Sequence, residues 1–418
     1  MAGEQREFDI VLYGATGFVG RLTAEYLARA AGDARIALAG RSRDKLLAVR
    51  DKLGERARSW ELISADANQP STLNDMAART QVVVTTVGPY ARYGLPLVAA
   101  CAAAGTDYAD LTGEPQFIRQ SIDLYHKQAI DTGARIVHSC GFDSVPSDLT
   151  VFALYRHAQR DGAGELTDTN LVVRDTVAGF SGGTLASLTG VMRDAAADPE
   201  VAQLINDPYA LSPDRAAEPR LGGEPDLRWR RGGEIAPELQ GYWVGPFVMA
   251  AINTRVVRRS NALLDYAYGR RLQYAEQMAM GRSFVGPVLS AVATGAHVVT
   301  MALGTRLLNR VPQGLIERVL PKPGTGPSER ILENGHYTVE TYTTTTTGAR
   351  YRATMSQQGD PGYKAASVML GECALALAFD RDRLSELRGV LTPAAAMGDA
   401  LLTRFPGAGV TLETTRLN

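Results

Sequence analysis

The chain has 418 residues, 45% hydrophobic and 21% charged, with 44 Lys and Arg against 45 Asp and Glu. That length suits two or three domains of about 150 residues each, with ordinary globular cores. A net charge of −1 excludes the strong positive balance expected of a nucleic-acid binder, so no nucleic-acid partner is expected.

Three cysteines, Cys101, Cys140 and Cys373, lie far apart and form no CxxC pair. That argues against a zinc cage or disulfide framework and for a reducing compartment. Met1 to Glu7 is polar and lacks the apolar stretch of a secretory signal, so the expected location is the cytoplasm.

From the N-terminus, short apolar runs alternate with helical segments. Strands are predicted at Phe8–Tyr13, Arg35–Ala39, Trp60–Ser64, Gln81–Val87, Asp107–Leu111 and Arg135–Cys140. Helices are predicted between them at Val19–Ala31, Arg43–Leu53, Pro70–Arg79, Leu95–Ala104 and Gln116–Thr132. Continuous apolar strands alternating with helices indicate a parallel sheet covered on both faces. Six such strands suit the doubly wound order 3-2-1-4-5-6, with a ligand crevice at the carboxyl ends of the first and fourth.

After about residue 150 the rhythm changes. Asp198–Pro246 is rich in Pro, Gly and charge and reads as irregular loops, a lid or an interaction surface. Tyr337–Thr347, with its run Thr343–Thr347, predicts a strand of a second sheet, since Thr is β-branched. Lys364–Phe379 predicts a helix, and Thr392-Pro393 starts another, with Thr as cap and Pro in the first turn.

The fold class is therefore α/β, a Rossmann sheet with a second α+β domain inserted before C-terminal helices. The domain bounds are 1–150 for dinucleotide binding, 151–360 for substrate and dimerisation, and 361–418 for the C-terminal helices. A homodimer through the second sheet is an expectation of this reading.

Phe284–Gly304 contains no Asp, Glu, Lys or Arg and is long enough to span a bilayer. Gly286-Pro287, Gly295, His297 and several hydroxyl residues weaken that reading. The alternatives are a buried helix or helix pair, or a lipid-facing surface giving peripheral membrane contact.

The first strand runs directly into Gly14-Ala15-Thr16-Gly17-Phe18-Val19-Gly20. Gly14 suits the tight turn, Gly17 a close pyrophosphate, and Gly20 close helix–strand packing. Thr16, Phe18 and Val19 complete the turn, where a helix N-terminus offers N–H groups and a positive dipole end to phosphates. Position between a strand and a helix is the context such a motif needs.

The second strand ends in Gly40-Arg41-Ser42-Arg43, with Lys45 nearby, where NAD enzymes usually place an acid. Arg41, Ser42 and Lys45 suit a ribose 2′-phosphate, which favours NADP(H). The competing reading is a solvated charge cluster at a helix start. Asp66 ends the third strand, either near the adenine or as a plain loop acid. Val87-Gly88-Pro89 ends the fourth, where small residues would admit the nicotinamide ring.

The glycine turn, Val87-Gly88-Pro89-Tyr90, Tyr108 to Glu114 (YADLTGE) and Gly141 to Asp148 (GFDSVPSD) together resemble the saccharopine dehydrogenase-like oxidoreductases. Within them, the likeness is to the trans-acting enoyl reductases of phthiocerol-type polyketide lipid synthesis, and it runs through nearly the whole chain. The resemblance implies NADPH-dependent reduction of a carbon–carbon double bond in a long acyl chain, held on a polyketide synthase or carrier protein. It also implies that the last helices return to the Rossmann domain.

Enoyl reduction needs a proton donor and stabilisation of the thioester oxygen beside the cofactor. Tyr90, directly after Gly88-Pro89, is the first candidate donor; it would alternatively only cover the crevice. Glu114 and Asp143 qualify as acids if burial raises their pKa, and otherwise cap helices. His138, inside a predicted strand, reads as a satisfied core histidine. No Tyr is followed four residues later by Lys and no HExxH occurs, so short-chain dehydrogenase and metallohydrolase chemistry are not indicated. Two other functions stay open: imine or carbonyl reduction of the saccharopine type, and a non-catalytic NADP-binding, lipid-associated scaffold.

Overall fold

The computed structural model describes residues 6–177, 190–191, 193–219, 221, 226, 231–282 and 327–418. Its first part alternates β1 (Phe8–Tyr13), α1 (Phe18–Ala30), β2 (Ile36–Gly40), α2 (Arg43–Leu53), β3 (Glu61–Ser64), α3 (Pro70–Ala78) and β4 (Thr80–Thr85). There follow α4 (Tyr90–Tyr93), α5 (Leu95–Ala104), β5 (Asp107–Ala109), α6 (Pro115–Thr132), β6 (Arg135–Val137) and α7 (Val145–Arg160).

Along β1, Ile10 and Leu12 enter one hydrophobic cluster while Val11 and Tyr13 enter another. Side chains alternate across a strand, so two buried faces make every position apolar. The six strands take the order 3-2-1-4-5-6, all parallel, as the alternating pattern predicts.

The second part contains β7 (Leu166–Val177), α8 (Pro199–Asn206), β8 (Val244–Pro246), α9 (Ala250–Leu263) and β9 (Gln273–Ala279). It continues through β10 (His336–Thr345), β11 (Arg350–Gln358), α10 (Ala366–Phe379), β12 (Gly389–Leu391), α11 (Pro393–Arg404) and β13 (Val410–Arg416). Six of these strands form a mixed sheet in the order β13-β11-β10-β7-β9-β8. The seventh, β12, extends the Rossmann sheet beyond β6.

Several details differ from the sequence reading. Asp198–Pro246 contains regular structure: Asp198 caps α8 by accepting the Glu200 N–H at 2.8 Å, and β8 pairs with β9. An eight-residue helix is too short for its periodicity to stand out among Pro, Gly and charge. The threonine strand stops at Thr345, and Gly348, with φ of +84°, turns the chain into β11. The segment after residue 361 holds two strands besides its helices, one for each sheet. The start of α11 is as expected, with the Thr392 hydroxyl accepting the Ala395 N–H and Pro393 in the first turn.

One apolar cluster runs from Ile10 and Leu12 through Met369, Leu370 and Cys373 of α10 to Tyr337, Val339, Tyr351, Ala353 and Met355 of the mixed sheet. The helix α10 packs against α1 and against β4 of the Rossmann sheet. Among the described residues no helix is long and apolar enough to cross a membrane. The apolar stretch 284–304 lies outside the described residues.

Candidate active site

The glycine turn stands at the carboxyl end of β1. Gly14 has φ of +92°, a region that side chains avoid. A Cβ on Gly20 would lie 2.2 Å from the Gly14 carbonyl oxygen, so only glycine lets α1 start this close to the turn. Gly17 is exposed at the cap of α1, and no side chain caps that helix. The half-buried Thr16, Phe18 and Val19 surround that uncapped end. Phe18 packs edge-on against Tyr363 at 5.5 Å between ring centroids. Close backbone, a positive helix end and first-turn N–H groups fit a dinucleotide pyrophosphate.

At the end of β2, Arg41 and Lys45 are exposed, while Ser42 caps α2 by accepting the Lys45 N–H at 3.4 Å. Burial raises the pKa of the Tyr13 hydroxyl; Asp66 adds to the rise, while the Ala67 backbone and Arg41 oppose it. Arg41 and Asp66 thus both lie near enough to act on the Tyr13 hydroxyl. One Asp66 oxygen is engaged locally, accepting the Asn68 backbone N–H at 3.0 Å and its side-chain amide at 3.1 Å.

The end of β4 leans on the glycine turn: the Thr86 hydroxyl donates to the Gly14 carbonyl at 3.2 Å. Val87 and Pro89 are half-buried and Gly88 is exposed, with a cis peptide between Gly88 and Pro89. Next to them Tyr90 is buried, and its hydroxyl donates to the Thr85 carbonyl at 3.2 Å while accepting the Leu111 N–H at 3.2 Å. The proton that the sequence reading offers to substrate is therefore directed into the fold. Glu114 is also buried, accepting the N–H groups of Tyr90 at 3.0 Å and Ala91 at 2.8 Å, the capping alternative for this residue.

His138 is fully engaged. Its Nδ1 lies 2.7 Å from Asp110 Oδ2 and its Nε2 2.9 Å from Ser121 Oγ, all three residues being buried. This Ser–His–Asp row has the contacts of a hydrolytic triad but no exposed nucleophile. Asp110 also accepts the Tyr108 hydroxyl and the N–H groups of Thr112 and Ser139. The row ties β5, β6 and α6 together at the sheet end.

Asp143 differs from the other two candidate acids. It sits half-buried on the loop before α7, and a Cβ on Gly113 would stand 3.8 Å from its Oδ1. Burial raises its pKa to about 7, its own backbone N–H working against the rise and Asp110 adding to it. A carboxyl poised near neutrality and half-exposed can give up a proton and regain it from water. Gly14 is hydrogen-bonded to Thr86, the neighbouring Thr85 to Tyr90, Tyr90 to Glu114, and Gly113 lies beside Asp143. Because the strands are all parallel, the glycine turn after β1 and the loop of Asp143 after β6 leave the same sheet end.

Residues 10–137 match the family model of the saccharopine dehydrogenase NADP-binding domain. Over 417 residues, all of both chains, the sequence is 68% identical to a Mycobacterium tuberculosis (strain H37Rv) protein named "Putative trans-acting enoyl reductase". It is 62% identical over 419 residues, again all of both chains, to the trans-acting enoyl reductase of Mycobacterium bovis (strain BCG / Pasteur 1173P2). The chain belongs to the trans-acting enoyl reductase family of NADP-dependent oxidoreductases. The fold is similar to saccharopine dehydrogenase (L-Glu forming) from Saccharomyces cerevisiae, with a TM-score of 0.54, 14% identity, and coverage of 98% of this chain and 99% of that one.

In this enoyl reductase family member the GFDSVPSD segment is a junction. Ser144 donates to Asn253 of α9, and Asp148 accepts from Ser260 of α9 and from Ala394 at the start of α11. Asn253, Ser260 and the buried Glu276 of β9 escaped the sequence reading. They lie in stretches without a motif, and only the polar ends of the segment they meet hinted at partners.

Proposed function

We propose that the protein is an NADPH-dependent trans-acting enoyl reductase, acting on a carbon–carbon double bond in a long polyketide or lipid acyl chain. The relatives' names describe reductases acting in trans, so the substrate is assigned to a separate synthase or carrier protein. Three free, buried cysteines suit a reducing compartment, and the cytoplasm is the assigned location.

The observation carrying this reading is that the loop bearing Asp143, after β6, leaves the same end of an all-parallel sheet as the glycine turn after β1. Burial, raising the Asp143 pKa to about 7, is consistent with an acid there. When bound, NADPH supplies the hydride for the β-carbon. Gly14, Thr16, Gly17, Phe18, Val19 and Gly20 would hold the pyrophosphate; Arg41, Ser42 and Lys45 would take the 2′-phosphate; and Asp66 would lie on the adenine side. Val87, Gly88 and Pro89 would face the nicotinamide. Asp143 then gives its proton to the α-carbon and recovers one from solvent. Tyr90 and Glu114 hold the floor of the site, through the bonds described above, rather than exchanging protons.

The test is NADPH consumption with trans-2-enoyl thioesters of increasing chain length, as coenzyme A and carrier-protein conjugates, with NADH in parallel. Turnover that requires NADPH and improves with chain length is expected. NADPH binding without turnover on any conjugate would overturn the enzyme reading.

A further inference from the structure

The acid loop is anchored from the other half of the molecule. Ser144, next to Asp143, is buried and donates its hydroxyl to Asn253 Oδ1 at 2.9 Å. Asn253 Nδ2 donates in turn to Glu276 Oε2 at 2.9 Å. Glu276 Oε1 accepts the Tyr274 hydroxyl at 2.7 Å, and the carboxylate also accepts from Ser147 in the first turn of α7. Glu276 thus grips the start of α7 twice, once through Ser147 and once through Asn253 and Ser144.

The amide in the middle has one sensible orientation. Glu276 Oε2 accepts from the Asn253 amino group, and a carboxyl oxygen can do so in either charge state, which leaves the Asn253 carbonyl to face Ser144. The Ser144 proton is thereby committed away from its neighbour Asp143. Placing this chain inside the protein is costly: burial pushes the Glu276 pKa up to about 7 against the bonds it accepts. Apolar residues of similar volume would fill such a space at lower cost. What they would lack is a directional hold on Ser144, one residue from the acid.

We propose that Glu276 is a positioning residue for the reduction, acting through Asn253 and Ser144 to fix the loop that presents Asp143 to the crevice. The proposal rests on the reading of Asp143 as the proton donor. It makes the second half of the chain part of the catalytic apparatus, because β9 and α9 set the height of a group on the Rossmann side.

The test is single-turnover hydride transfer from NADPH to an enoyl thioester in wild type, E276Q, D143N and the double variant, with melting temperature and NADPH affinity measured on each. E276Q is expected to slow transfer ~10- to 100-fold, the scale of a small misplacement of a reacting group, with NADPH affinity unchanged. On the D143N background it is expected to add no further loss, which a merely structural defect would add. Ser144→Ala breaks the link nearest the acid while leaving Glu276 its other partners. It is expected to behave like E276Q, and it decides the matter if E276Q does not fold. D143N with wild-type activity would remove the donor reading and this proposal with it. An impaired D143N beside a fully active E276Q or S144A, or equal losses on both backgrounds, would overturn the positioning role and leave the donor reading intact.

Discussion

Glu114 spreads its two carboxylate oxygens over consecutive backbone N–H groups, Tyr90 at 3.0 Å and Ala91 at 2.8 Å. The loop after β5 thereby holds the turn after Gly88-Pro89. In Glu114→Gln the amino group would face one of those N–H groups and leave it without this acceptor. An unsatisfied buried donor costs about 1–3 kcal/mol. Urea denaturation should show that loss, and NADPH titration should show weaker binding. Unchanged stability would mean that the turn does not depend on the carboxylate.

Tyr90 offers a clean separation of structural and chemical roles. Tyr90→Phe keeps the ring against Phe117, at 5.8 Å between centroids, and removes the hydroxyl that Thr85 and Leu111 share. The expected result is a loss of about 1–3 kcal/mol in stability with single-turnover transfer retained within a few-fold. A collapse of transfer at unchanged stability and NADPH affinity would return the donor role to this hydroxyl.

The Rossmann half was legible because strands buried on both faces write unbroken apolar runs, Ile36–Ala39 and Val82–Val84 among them. The edge strand β12 was not. It has three residues, and its backbone is held by His126, which accepts the Val390 N–H at 3.0 Å, and by Arg259, which donates to the Val390 carbonyl at 2.6 Å. Both partners are distant in sequence, so no local pattern announces the strand. The same holds at the site. The glycine turn and GFDSVPSD stand out as residue strings, yet the string cannot say that Tyr90 spends its proton on Thr85 or that Asp143 loses enough water to hold its own. Those facts depend on packing between strand ends and on α9 and β9.

Cofactor choice can be tested at Arg41, an exposed cation just past β2. A charge-assisted bond to a 2′-phosphate is worth about 1.5–3 kcal/mol, which corresponds to roughly 10- to 100-fold in affinity. Arg41→Ala should raise the Kd for NADPH by that factor and leave the Kd for NADH nearly unchanged. Melting temperature should stay constant, since the side chain is exposed. Equal weakening of both cofactors would instead place Arg41 against a part of the dinucleotide that the two share.

The pH dependence of stability has a buried source outside the crevice. Asp148 accepts the Ser260 hydroxyl at 2.5 Å and the Ala394 N–H at 2.7 Å, but burial outweighs both and raises its pKa from 3.8 to about 7. Between about pH 4 and 7 the native state keeps a proton that the unfolded chain has released, so this group's contribution to stability falls as pH rises. His126 acts in the opposite sense: burial, then Arg259, lower its pKa from 6.5, so its contribution is lost as pH falls below that value. Asp148→Asn can be accommodated, because Ser260 can turn its proton to the Thr392 hydroxyl at 2.6 Å and accept from the new amide. Urea denaturation from about pH 5 to 8 should give a flatter profile for the variant, with a gain on the order of 3 kcal/mol over wild type at the alkaline end. Parallel profiles would mean that Asp148 is ionised in the folded protein across the whole range, its hydrogen bonds having offset the loss of water.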